Sequence, residues 1–192
     1  MHPKSDAAVA PQTFYTVTAE IALARHQPRV AALQYAAAAA GETDLALLER
    51  ATQVAADCLQ PSVAEKVAAR WIEVDPKSLD ARRAAGRAAL ALHKIDQAAA
   101  HYRIVLSSSP IGTEAEFAAL EGYLAGNDNL FGARQLADRL VPSFPSSPAA
   151  LRVQGFTTLR ADDPAAAVRS FTWRIRFPVP SSFPFGSGRS DP

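Results

Sequence analysis

Of the 192 residues 41 are alanine, and 20 basic against 19 acidic side chains leave a formal charge of +1. That length holds one domain or one array of small repeats, and so balanced a charge gives no general attraction to nucleic acid or anionic lipid. Alanine favours helix while β-branched and aromatic residues are too sparse for an all-β fold, and the lone Cys58, without any Cys-x-x-Cys or His/Cys cluster, argues against a disulfide scaffold or structural zinc.

The chain opens with Met1-His2-Pro3-Lys4-Ser5-Asp6, which lacks the apolar run of a secretory signal. No stretch reaches the roughly 18 consecutive apolar residues of a membrane span. As written, the sequence predicts a cytoplasmic protein; an incomplete N-terminus leaves the periplasm or outer membrane as the alternative. Residues 1–11, with Pro3 and Pro11 and no periodic apolar face, are expected to be a disordered lead-in.

From Gln12 onward, short helical stretches alternate with turn signals. Breaks fall at Gln27-Pro28, Gly41 to Asp44, Gln60-Pro61, Asp75 to Ser78, Ser107 to Pro110, Gly126 to Asn129, Pro145 to Pro148 and Asp162 to Pro164. They delimit nine or ten helices. Pro28 and Pro61 suit a first helical turn, where a missing N–H costs nothing, and Asp44 and Ser78 suit N-caps.

A 34-residue period runs through these helices: Pro76 and Pro110 each close one, and between them Gly86 is followed by Ala98 and Tyr102. The same small, small, large spacing recurs as Ala19, Ala31, Tyr35 and as Gly155, Ala167, Phe171. It is weaker as Thr52, Ala64, Ala68 and as Leu120, Gly132, Leu136. Two antiparallel helices cross closely where both present small residues, so Gly86 and Ala98 are expected to face each other, with the aromatic filling the wedge to the next unit. Leu120 in a small-residue position predicts either an altered crossing in the fourth unit or a register shifted there by one or two residues. The units divide at about 12–44, 45–78, 79–112, 113–147 and 148–171. Beyond Phe171 alanine disappears, and residues 172–192 hold four Pro, two Gly and four Ser. That tail reads either as a natural linker or as the product of a shifted reading frame that cuts a longer solenoid short.

Across residues 12–171 the pattern resembles the tetratricopeptide repeat family, best over residues 79–110, where Gly86, Ala98, Tyr102 and Pro110 fall on signature positions. The resemblance implies an all-α, right-handed solenoid of antiparallel helix-turn-helix repeats, a noncatalytic scaffold or adaptor, and a protein or peptide partner. More narrowly, Phe14-Tyr15, Ala19 to Ala22, Leu48 to Ala51, Trp71 and Leu79 to Ala85 look like bacterial outer-membrane tetratricopeptide lipoproteins. Some of those are adaptors, which would make the partner a protease or its substrates.

Function in such a stack lies on the concave face lined by the first helix of each repeat. The register projects there Glu20, Glu49, Gln53, Asp57, Arg83, Arg87, Phe117, Glu121, Arg152, Phe156 and Arg160. Arg83 and Arg87, one turn apart, form a candidate clamp for a carboxylate such as a peptide C-terminus. The competing reading pairs them with Asp57, Glu49 or Glu121 on neighbouring helices or leaves them to solvate a surface, and packs Phe117 and Phe156 between helices. Catalytic residues, cofactors and metal sites are not expected: His93 and His101 lack metal spacing, Cys58 lacks a base in sequence, and no Gly-rich phosphate loop occurs. Two alternatives stand beside the scaffold: a repeat domain accessory to an enzyme, and RNA binding by helical repeats, the latter opposed by 17 basic against 18 acidic groups in residues 1–171.

Overall fold

A computed structural model describes residues 11–161. Residues 1–10 of the lead-in, the Asp162-Asp163-Pro164 turn, the packing positions Ala167 and Phe171 and the tail of residues 172–192 lie outside the described residues, and Pro11, expected in the lead-in, is instead the first residue of a helix. Nine helices follow one another within them: α1 (Pro11–Ala24), α2 (Pro28–Ala39), α3 (Leu45–Asp57), α4 (Pro61–Val74), α5 (Leu79–Ala91), α6 (Ile95–Ser108), α7 (Thr113–Ala125), α8 (Leu130–Leu140) and α9 (Pro148–Arg160), with a short 3-10 turn, Val141–Ser143, after α8. The described residues contain no strand.

Local chemistry sets the ends. The Asp44 carboxylate accepts from Ala46 N at 3.0 Å, and the Ser78 hydroxyl accepts from Ala81 N at 3.1 Å. Asn129 and Ser147 cap α8 and α9 in the same way, while Pro28, Pro61 and Pro148 stand in first turns. The α1, α3 and α5 C-termini share one closing device. His26, Leu59 and His93 adopt a left-handed backbone, with φ of 54°, 54° and 59°. The next N–H then reaches back five residues, Gln27 to Ala22 at 2.9 Å, Gln60 to Ala55 at 2.9 Å and Lys94 to Ala89 at 2.8 Å.

Packing changes character along the solenoid. The first core cluster is mostly alanine, including Ala19, Ala31, Ala51 and Ala64 around Tyr35 and Trp71, whereas the second is built from Leu106, Phe117, Leu120, Leu124, Leu136 and Leu140. Helix α5 divides them: Ala81 and Ala88 join the first, Ala89 and Leu90 the second. Methyl side chains let backbones approach, and α1 packs closely on α2, α3 on α4 and α5 on α6. The backbones of α7 and α8 stay apart instead. Helix α8 leans on α6 and α9, and α7 on α9. Leu120 is buried where the other units carry Ala, Thr or Gly. The α7 turn differs as well, since Gly126 has φ of −89° and no left-handed residue follows α7.

One packing expectation needs correction. The atoms nearest a Cβ at Gly86 belong to the Tyr102 ring rather than to Ala98. The aromatic fills the gap inside its own helix pair because Gly86 leaves it room, and Ala98 lies buried beside it in the second cluster. Ala19, Ala31, Tyr35, Ala64 and Gly155 are likewise buried.

Candidate peptide-binding groove

Alanine spacing on α5 opens the site. Ala84, Ala88 and Ala91 fall at i, i+4 and i+7, so one stripe of α5 carries only methyl groups. Where that stripe passes α3 and α7 the side chains are too short to fill the space. The result is a groove of about 500 Å³. Its α3 wall is Thr52, Gln53, Ala56 and Asp57, continued by Leu59, Pro61 and Ala64. Arg87 rises from α5, and Tyr123 and Asn127 close the α7 side.

The polar groups hold fixed positions. The Arg87 guanidinium lies over the Tyr123 ring, 4.8 Å from its centroid, and Asn127 Nδ2 donates to the Tyr123 hydroxyl at 3.3 Å. Burial pushes the Tyr123 phenol pKa up, against the smaller opposing effect of that hydrogen bond, and burial does the same to Tyr102 beneath Arg87. Opposite them, Gln53 Nε2 donates to Asp57 at 2.7 Å. Among the described residues Arg87 has no carboxylate partner and Asp57 no cationic one. The groove therefore presents an apolar floor, an uncompensated cation on one wall and an uncompensated anion on the other.

The sequence-derived candidates separate into two groups. Gln53, Asp57 and Arg87 line the groove. Glu49 is exposed on α3 but outside the lining. The rest are committed elsewhere, and the Arg83–Arg87 clamp does not form. Arg83 Nε donates to Glu116 at 3.3 Å, Arg83 Nη2 donates to the other oxygen of the same carboxylate, and Arg83 Nη1 reaches Asp80 at 2.6 Å. Glu116, 4% exposed, also accepts from Ser109 Oγ at 2.7 Å. Burial raises its pKa, but the Arg83 and Ser109 hydrogen bonds outweigh burial and hold the carboxyl below its ordinary range. So Arg83 braces α5 to α7, with a partner other than Asp57, Glu49 or Glu121.

Phe117 is likewise removed from the candidate contacts. It is fully buried, edge-on to Phe144 with ring centroids 5.4 Å apart. Phe156 is half-buried beneath the Arg160 guanidinium, 5.7 Å from its ring centroid. Arg160 donates to Leu124 O at 2.7 Å and so caps the end of α7. Arg152 pairs with Glu121 at 2.6 Å, and Arg50 pairs with Glu20 at 3.2 Å while the Tyr35 hydroxyl donates to the same Glu20 oxygen. These ties join neighbouring units.

Leu59 and Asn127 escaped the sequence reading because each lies beyond the end of a first helix, past the positions the register projects inward, and Tyr123 falls on a turn of α7 to which the register assigned no inward position. Cys58 sits beside the groove but is buried; burial, then the Asp57 charge, raises its thiol pKa and keeps it protonated. No described helix is long and apolar enough to cross a membrane.

No family model matches the chain, and no curated protein matches it. Among solved structures it is similar to a crystal structure of MamA protein, with 14% identity, a TM-score of 0.50 and coverage of 86% of this chain and 91% of that one. It is also similar to MamA 41-end from Desulfovibrio magneticus RS-1, with 18% identity, a TM-score of 0.48 and coverage of 87% and 94%. Identity this low speaks to the fold alone, and it does not reach the narrower outer-membrane adaptor resemblance. What the helices and the likeness to the MamA crystal structure at a TM-score of 0.50 together establish is an all-α solenoid of helix-turn-helix, tetratricopeptide-like repeats.

Proposed function

We propose that the protein is a noncatalytic interaction scaffold that receives a segment of a protein partner in the groove between α3, α5 and α7. The observation that carries this reading is Arg87, a groove cation stacked on Tyr123 without a carboxylate of its own. Held in place by the ring, it loses little freedom when an acidic group meets it, and a methyl floor accepts backbone or small side chains at close range. Neighbouring arginines serve the fold instead: Arg50, Arg83, Arg139 and Arg152 meet carboxylates, and Arg70 and Arg103 meet main-chain carbonyls at the ends of other helices.

The test is selection of short peptides from a random display library on the full chain, followed by affinity measurement against variants. Arg87→Ala is expected to abolish binding of the selected acidic peptides with the melt unchanged, and Glu49→Lys to shift affinity only modestly, as a charge outside the groove. Selected peptides that bind Arg87→Ala as well as the wild type would move the site off this groove.

A further inference from the structure

We infer that Leu59 is the apolar specificity contact of this groove, the side chain against which a partner segment packs its own large apolar residue while its carboxylate meets Arg87. The inference rests on the groove reading above and adds to it the residue class the partner must carry. The three turns closed by His26, Leu59 and His93 have the same hydrogen bonds and nearly the same φ. A left-handed backbone crowds Cβ, and it is tolerated well by glycine and comparatively well by histidine and asparagine, poorly by bulky aliphatic residues. Closing the turn therefore gives no reason for leucine, since histidine closes the other two.

Nor does packing give one. Leu59 is 83% exposed, more than any other large apolar side chain among the described residues. It stands on the groove lip, with Ala56 and Ala64 along the same wall. The fold thus carries both backbone strain and bare apolar surface at one residue, beside a groove, with no structural return from either. A partner that buries the isobutyl group supplies that return. Charge fixes the rest of the occupant: an acidic group for Arg87, a basic one for Asp57, and a large aliphatic or aromatic residue for Leu59. A protein segment carries all three together.

The experiment uses the same display library panned on the full chain, with Arg87→Ala as counter-selection. The recovered peptides are measured by fluorescence anisotropy against Leu59→Gly, Leu59→Asn, His26→Gly and His93→Gly. The expected peptides pair an Asp or Glu with a large apolar residue. Both Leu59 variants should bind about tenfold more weakly, the loss of one buried aliphatic contact, while melting no lower than wild type because the strain is relieved. The two His→Gly variants should bind unchanged. Undiminished binding to Leu59→Gly and Leu59→Asn, with Arg87→Ala still inactive, overturns the role of Leu59 and leaves the groove reading standing. Weakened binding accompanied by lower melting of both Leu59 variants also overturns it, by making Leu59 a structural residue. Recovery of no Arg87-dependent peptide overturns the groove reading and this inference together.

Discussion

The ring of Tyr102 stands where a side chain at Gly86 would begin: a Cβ there lies 2.8 Å from Tyr102 Cε2 and 3.0 Å from Cδ2. Tyr102 is buried, so its ring cannot swing away into solvent. Gly86→Leu is expected to cost about 1 to 3 kcal/mol by overpacking. Gly122 on α7 has nothing within 4 Å of its Cβ position. There an added methyl meets no neighbour, and Gly122→Ala should gain about 0.5 to 1 kcal/mol from helix propensity. Urea melts of the two variants should move in opposite directions, and equal shifts would contradict the Gly86–Tyr102 contact.

Arg83 and Glu116 make a second, pH-dependent prediction. Removing Arg83 leaves a carboxylate at 4% exposure without its cation, so Arg83→Ala should cost about 3 kcal/mol at neutral pH. Glu116→Gln on that background should recover part of the loss. Because the folded carboxyl titrates below the ordinary glutamate value of 4.5, its contribution is complete above that value and is lost as pH falls through the folded pKa. Wild type should therefore lose this share of stability in acid, and Glu116→Gln should show a shallower acid dependence in urea midpoints.

A third prediction runs against the repeat pattern. Leu120 occupies a position that the other units fill with Ala, Thr or Gly, and a substitution toward the pattern looks favourable on paper. The side chain is buried among Phe117, Leu124, Leu136 and Leu140, and α7 and α8 do not sit close enough to collapse onto a smaller residue. Leu120→Ala is expected to cost about 2 to 5 kcal/mol through the cavity it leaves. A melt at or above the wild-type midpoint would show that the fourth unit closes as the others do.

Sequence legibility followed the range of the forces involved. Helix ends were readable because Asp44, Ser78, Pro28 and Pro61 act on their own first turns, within a few residues. The small-residue positions were readable because Ala19, Gly86 and Gly155 recur close to multiples of the 34-residue period. The Arg83–Glu116 brace was not, since it spans 33 residues and any of several carboxylates could meet the same guanidinium. Leu59 was invisible for another reason: the left-handed turn signal in sequence is glycine or asparagine, and here leucine and histidine occupy it. Phe117 illustrates the limit of a helical register, which gives a direction around the axis but not how far the neighbouring helix stands from it.

On the proposed reading Arg87, alone of the expected arginine clamp, meets a partner in the groove. Its most direct test is titration of a library-selected acidic peptide, followed by fluorescence anisotropy, into wild type, Arg87→Ala and Arg87→Lys, with circular dichroism melts of each. Loss of binding in Arg87→Ala, partial retention in Arg87→Lys, where the charge remains but the paired planar hydrogen bonds do not, and superimposable melts are the predicted result. Equal affinity of all three proteins for the peptide would mean that Arg87 does not meet the partner.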